Sequence, residues 1–345
     1  MPEKLLAADY QPRSELVTPE TFVPKPAFTA IDAHNHLPVG EPRLPADEIP
    51  RIVRDMDIVD VEAIVNLSGG FGDTLKTRLE ALDQAYPGRF YTFCNVDWEG
   101  VGTTGWADRA TAQLRADVSA GAKGLKIFKQ LGLTYRDPEG HLIPPDDPRI
   151  ADIWEAAGEL GIPVLIHSAD PVAFFRPLDR LNERWDELHR HPNWHFYGGD
   201  YPEFEELIAA LYRTIEAHPN TTFITAHVGC YPENLGFVSG MLDRYPNLYT
   251  DFSARIAELG RAPYSARDWF LRYADRIVFG TDGAPTPILY QTYYRFLESK
   301  DEYFTYSPRS PIPHQGRWHI CGMFLPEDVL KKVYRDNIRG FLGLE

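Results

Sequence analysis

Short runs of β-branched and aromatic residues recur along the chain, and stretches with helical periodicity separate most of them. The runs are AFTAIDAH (27–34), VEAIVNLS (61–68), RFYTFCNVD (89–97), GLKIFK (124–129), PVLIH (163–167), TTFITAH (221–227), NLYTDFS (247–253) and RIVFGTD (276–282). Between them, IPRIVRDMDIVD, DTLKTRLEALDQAY, ATAQLRADVSAG, IADIWEAAGEL and FEELIAALYRTIEA carry the apolar spacing of one helix face. AYPGRF, AHPNTTF, RYPNLY and RYADRI each place proline or a turn residue between a helix and the next strand, because such residues stop a helix. Strand and helix in alternation imply a parallel sheet covered by helices. Eight such strands in roughly 320 residues predict an α/β protein with a (β/α)8 TIM barrel rather than an open doubly wound sheet.

Residues 1–26 are proline-rich and aperiodic, and read as an N-terminal arm; residues 27–345 read as one barrel domain. Two connections exceed simple turns. They run over 168–202 and 283–326, after the fifth and eighth strands, and both are rich in aromatic residues and arginine. Loops of that length in a compact domain serve as lids or binding loops; the plainer reading is that their aromatics pack extra helices onto the barrel rim.

The first strand ends unusually. In FTAIDAHNHLPVG, residues two apart share a face of a strand, so Asp32, His34 and His36 are expected side by side. Other strands end in similar groups: His167 closes the fifth, His227 the sixth and Asp282 the eighth. In a closed parallel barrel all these ends meet at one mouth, where such barrels keep their active sites. Imidazole nitrogens and carboxylate oxygens suit zinc and neighbouring divalent metals. Singly, each residue has an ordinary explanation: a core histidine, or an aspartate capping a helix. Together they predict a metal centre of His34, His36, His167, His227 and Asp282. Lys126 lies inside the fourth strand, where it could take up carbon dioxide as a carbamate bridging two metals, or pair with a carboxylate. Lys129 could reach the pocket mouth and meet substrate.

Composition excludes some classes. The formal net charge is −15, from 35 basic and 50 acidic residues, without the basic stripe a nucleic acid needs. Three scattered cysteines give no disulfide framework, which favours a reducing, cytoplasmic setting. The N-terminus has no signal-peptide-like apolar run, and no stretch of eighteen apolar residues could span a membrane. GGFGDT (69–74) is glycine-rich but follows the second strand, a weak phosphate-loop match.

Asp-Ala-His-Asn-His at strand one, histidines closing strands five and six, and Gly-Thr-Asp at strand eight together resemble the amidohydrolase superfamily over nearly the whole chain. The spacing is most similar to the amidohydrolase-2 branch that includes aminocarboxymuconate-semialdehyde decarboxylase and several lactonases. The resemblance implies a divalent cofactor, zinc first, with manganese, iron or cobalt also compatible. One ion is typical of that branch. GLKIF, however, resembles the carbamylated-lysine strand of urease and the hydantoinases, which hold two. Dimerisation is common among such barrels, so a homodimer is also implied.

A metal lowers the pKa of water from near 16 to about 7. Asp282 would take and deliver a proton, and His227 would polarise a carbonyl or hold a second metal. Asn35, Lys129, Arg176, Arg255 and Arg261 form the expected substrate-binding set, since guanidinium forks suit carboxylates; for Arg255 the alternative is an ion pair with Glu258. His189, His191, His195, His314 and His319 read as surface or packing residues. The expected reaction is hydrolysis of an ester, lactone or amide in a small carboxylated or polyhydroxylated substrate. Non-oxidative decarboxylation or hydration on the same metal is the alternative. A non-catalytic scaffold barrel ranks below both, because it does not need an acid, a base and metal ligands at one mouth.

Overall fold

The computed structural model describes residues 10, 14–41, 44–310 and 312–344. Each predicted apolar run contains a strand: β1 (Ala30–Asn35), β2 (Val61–Asn66), β3 (Phe90–Thr92), β4 (Leu125–Ile127), β5 (Val164–Ile166), β6 (Phe223–Thr225), β7 (Leu248–Asp251) and β8 (Ile277–Val278). They pair in parallel in the orders β1-β2-β3 and β4-β5-β6-β7-β8. Backbone hydrogen bonds close both seams. Cys94 N–H donates to Gly124 O at 2.9 Å and Lys126 N–H to Cys94 O at 2.9 Å, joining β3 to β4. Ala33 N–H donates to Phe279 O at 2.8 Å and Asp282 N–H to His34 O at 2.8 Å, joining β1 to β8. The result is the predicted (β/α)8 barrel.

Strand side chains are buried on both sides, which is why the runs read as continuous apolar segments rather than clean alternations. Ile31, Ala33, Val65, Phe93, Leu165, Ile224 and Val278 pack together as an inner cluster, joined by Ile338 and Leu342 of the helix Asn337–Leu342. Ile64, Phe90, Leu125, Val164, Phe223 and Ile277 join the larger cluster with helix residues such as Ile52, Leu114, Ile153, Leu211 and Phe270. Full burial of each such side chain contributes about 1.5–3 kcal/mol.

The two long connections roof the strands' C-terminal ends. The first folds into short helical turns, Val172–Phe175, Trp185–Arg190 and Pro192–Trp194. The second begins as the plainer reading has it, with a helix, Pro287–Glu298, whose Tyr290, Tyr293, Tyr294 and Phe296 are buried. Tyr293 packs 6.0 Å from the Phe252 ring and 5.9 Å from that of Phe279. These aromatics are core, not lid, because three- and four-residue spacing puts them on one helix face. The connections also hold each other. Arg317 Nε donates to Asp186 at 2.6 Å and Arg190 Nη2 to His314 O at 2.6 Å.

Residues 1–9 and 11–13 of the expected arm lie outside the described residues. Downstream, Thr21 donates through its N–H and hydroxyl to Asp301 at 2.6 and 2.7 Å, and Ala27 N–H to Glu298 at 3.0 Å. This stretch therefore lies along the connection after β8. Among the described residues, no helix is long and apolar enough to cross a membrane.

Candidate metal centre

The β1–β2 register shifts between Asp32 and Asn35, so simple alternation does not carry to the strand end. Asp32 therefore does not join the histidines, contrary to expectation. Its buried carboxylate accepts hydrogen bonds from Thr281 N–H at 3.0 Å, the Thr281 hydroxyl at 2.6 Å, the Tyr290 hydroxyl at 3.0 Å and the Asn35 amide at 3.0 Å. Asp32 ties β1 to the Gly-Thr-Asp turn, and burial keeps its carboxyl above the usual value despite these donors. Asn35, expected at the substrate, is buried. Its amide also donates to Gly283 O at 2.9 Å, and its carbonyl accepts from His36 N–H at 2.9 Å. The structure gives it the work of holding that turn.

The shift turns His34 toward the ends of β6, β7 and β8. Its Nδ1 lies 2.7 Å from Asp251 Oδ2. Burial pushes the Asp251 carboxyl up, but His34 and the donors His227 N–H and Ser253 bring it down to about 2. An ionised carboxylate only accepts, so Nδ1 carries a proton, and Nε2 is the nitrogen of His34 left to act as a ligand. His227 is set the same way. Its Nδ1 lies 2.8 Å from the Ser253 carbonyl, another obligate acceptor, which leaves its Nε2 as a lone pair. Ser253 Oγ lies 3.0 Å from both Nδ1 atoms and donates to Asp251 at 2.7 Å.

Both Nε2 atoms face Asp282. His34 Nε2 is 3.9 Å from Oδ1 and His227 Nε2 is 3.6 Å from Oδ2. His227 and Asp282 have left-handed backbones, with φ of 59° and 53°, uncommon for residues other than glycine. Each is held: His227 N–H donates to Asp251 at 2.9 Å, and Asp282 N–H to His34 O at 2.8 Å. Strain of this kind gathers at functional sites. Gly280 permits the approach of β8, because a Cβ there would stand 2.8 Å from His34 Cβ.

His36 extends the group, with Nε2 3.5 Å from Asp282 Oδ1 and Nδ1 2.9 Å from Ser68 Oγ. Burial holds its imidazole below the ordinary value. His167 stands edge-on to His227, ring centroids 4.4 Å apart, but its Nε2 turns to Asp170 at 3.4 Å. Burial lowers it to about 4, against the pull of Asp170, and burial likewise keeps His227 well below 6.5. These imidazoles are neutral at pH 7, the form that binds metals. Lys126 is buried, and its Nζ has no hydrogen-bond partner among the described residues. Burial brings it down to about 8, while Asp282 and Asp251 pull it back up. The expected alternative, a carboxylate in contact with Lys126, is absent among those residues.

A cavity of about 280 Å³ opens above His167, His227 and Asp282. Lys129, Asp170 and Arg255 border it, with Phe174, Arg184, Glu187, His191 and Trp194 from the first connection and His314 and Gln315 from the second. His191 and His314 are thus cavity-wall residues rather than plain surface. His189 stacks on Trp185 and His319 on Tyr303, at 4.7 and 4.4 Å, and His195 bonds the Arg176 carbonyl at 2.9 Å, as packing residues. Two expected substrate arginines are elsewhere. Arg176 pairs with Glu205 at 2.7 Å, and Arg261 pairs with Glu183 at 2.9 Å and stacks over Trp318. Neither lines the cavity. Glu258, the alternative partner of Arg255, pairs with Arg184 instead. Asp251, Ser253 and Asp170 were not expected. Asp251 lies inside the predicted run 247–253, but a single carboxylate there carries no pattern.

Donor atoms of His34, His227 and Asp282 lie within 4.8 Å of one another, and His34 Nε2 is buried without a partner. Two imidazoles and a carboxylate brought this close are a donor set that could hold a divalent cation. Each imidazole is oriented from its other nitrogen, as metal-binding histidines are.

Solved structures similar to the chain share its fold. The 2,6-dihydroxybenzoate decarboxylase from Rhizobium matches at TM-score 0.57 and 16% identity, over 91% of this chain and 98% of its own. A dihydroxybenzoic acid decarboxylase from Polaromonas, solved with manganese and the inhibitor 2-nitroresorcinol, matches at 0.57 and 15%, over 91% and 96%. An uncharacterised TIM-barrel protein from Bordetella bronchiseptica matches at 0.56 and 16%, over 91% and 98%. No curated protein matches the chain. The amidohydrolase family model matches residues 31–344, nearly the whole barrel and every residue of the His34–His227–Asp282 group, and the chain belongs to that family.

Proposed function

We propose that the protein is a metal-dependent hydrolase that cleaves an ester, lactone or amide bond in a small polar substrate. The observation that carries this reading is Asp282, whose carboxylate is 3.5–3.9 Å from the Nε2 atoms of His36, His34 and His227. His34, His36, His227 and Asp282 would hold the cation, and His167 would join by turning from Asp170. The donor set accepts zinc, manganese, iron or cobalt. When bound, a divalent cation supplies Lewis-acid polarisation and makes a nearby water acidic enough to react at neutral pH. Asp282, at the cavity floor, takes the proton from the attacking water and returns it to the leaving group. His227, its Nδ1 held by the Ser253 carbonyl, presents Nε2 as a lone pair and so serves the cation rather than donating to the substrate carbonyl. Lys126 is the residue on which a carbamate would form in a two-ion version of the site.

A second reading, non-oxidative decarboxylation of an aromatic hydroxy acid, has its own support. Phe174 and Trp194 stack at 6.4 Å and 18° on the cavity wall, a surface suited to a planar ring, and two similar folds are decarboxylases of such acids. One assay set separates the readings. Metal-loaded wild type and Asp282→Asn are incubated with lactones, esters and amides, and with hydroxybenzoic acids. Hydrolysis by wild type, falling roughly 10²–10⁴-fold in the variant, supports the first reading. Carbon dioxide release from the acids, without hydrolysis, replaces it with the second.

A further inference from the structure

Three cationic side chains line the cavity: Lys129, Arg184 and Arg255. Two are matched by carboxylates in contact. Lys129 donates to Asp170. Arg184 donates to Glu187 at 2.7 Å and also pairs with Glu258. Arg255 differs. It is 5% exposed, its Nη1 donates to the Ala254 carbonyl at 2.9 Å, and its Nε has no partner among the described residues. The nearest carboxylate oxygen, Asp170 Oδ1, stands 4.0 Å from Nη2 and belongs to a group already holding Lys129. Glu187 and Glu233 act on Arg255 only at a distance. A buried charge without a contacting counter-ion is costly, and a guanidinium fork matches a carboxylate in two hydrogen bonds.

The backbone beneath Arg255 is fixed. Ala254 has φ of 53°. Its N–H donates to the Tyr293 hydroxyl at 2.8 Å, and its carbonyl accepts from Gln315 Nε2 at 2.9 Å. A strained residue held from two sides aims the next side chain, and here that side chain borders the cavity.

We infer that Arg255 is the anion-recognition residue of this site, receiving a carboxylate at the end of the substrate remote from the reacting bond. This rests on the reading of Asp282 and its histidines as the reacting end. It selects a carboxylated substrate over a polyhydroxylated one, because a neutral polyol leaves the guanidinium without a counter-charge. It also assigns the role to Arg255 rather than to Lys129, whose ammonium Asp170 occupies.

The test uses isophthalate as probe and its neutral diamide as control, titrated calorimetrically into chelator-treated full-length protein. Wild type binds isophthalate more tightly than the diamide. Arg255→Gln weakens isophthalate roughly ten- to a hundredfold, and Arg255→Lys falls between, since one ammonium cannot reproduce the fork. The diamide is indifferent to both substitutions. Equal isophthalate binding by wild type and Arg255→Gln, no preference over the diamide, or no binding by wild type overturns the inference. A crystal structure of wild type with isophthalate tests it without any variant: a carboxylate about 3 Å from the Arg255 nitrogens supports it, and one placed on Lys129 or Arg184 overturns it. The probe needs no metal, so a failed metal centre would leave these results unchanged and would be recognised separately.

Discussion

His34 Nδ1–H donates to Asp251 Oδ2 at 2.7 Å, and neither side chain is exposed to solvent. That bond holds His34 by Nδ1, and so aims Nε2 at Asp282. Replacing Asp251 by Asn puts a neutral amide in place of the ionised acceptor and removes the charge that fixes the tautomer. Such partners typically control metal affinity by 10–100-fold. Asp251→Asn is therefore expected to weaken cation binding by about that factor, measured by competition with a chromophoric chelator. Unchanged affinity would mean that His34 does not hold the ion.

Gly280 and His34 set the spacing between β8 and β1. A methyl group at position 280 meets His34 Cβ at 2.8 Å and His34 N at 3.2 Å, and backbone cannot yield as a flexible side-chain tip can. Gly280→Ala is expected to destabilise the fold by about 1–3 kcal/mol, the usual cost of overpacking, and to weaken the cation site at the same time. Chemical denaturation and chelator competition on one sample check both effects. A neutral substitution would show that the two strands part without consequence.

The metal-free protein should lose stability as the solution is acidified. His167 has a folded value of about 4 against an ordinary 6.5, so the unfolded chain binds more protons between those limits. Stability is then full above pH 6.5 and falls as pH drops toward 4; His227 acts in the same direction. A shift of this size corresponds to a few kcal/mol, at roughly 1.4 kcal/mol per pKa unit. Melting temperature of chelator-treated protein from pH 8 to pH 4 should fall through this window, with a shallower slope in His167→Asn. A flat profile, or the same slope in both proteins, would show that His167 is not buried as a neutral imidazole.

How far the sequence reaches depends on the kind of contact. The barrel was legible because each strand is an apolar run ended by a turn signal, and chain order alone then brings His34, His36, His167, His227 and Asp282 to one mouth. Asp32 was misplaced because one register shift defeats the two-residue period. Arg176 and Arg261 are captured by Glu205 and Glu183, partners 29 and 78 residues away in the chain that no local pattern reveals. The same holds for Arg184, which takes Glu258 and leaves Arg255 without it. Asp251 and Ser253 escape notice because they act on histidines through atoms facing away from the cavity. The residues proposed to hold the cation thus showed themselves at strand ends, while those that orient them became visible only in three dimensions.

The central claim is a divalent cation between His34, His227 and Asp282. Crystals grown from metal-replete protein, with anomalous diffraction collected across the absorption edges of zinc, manganese, iron and cobalt, test it most directly. The account predicts an anomalous peak about 2.0–2.2 Å from His34 Nε2, His227 Nε2 and an Asp282 oxygen, the range for zinc and similar ions. An ordered site with the side chains in place and no anomalous peak among them would contradict it.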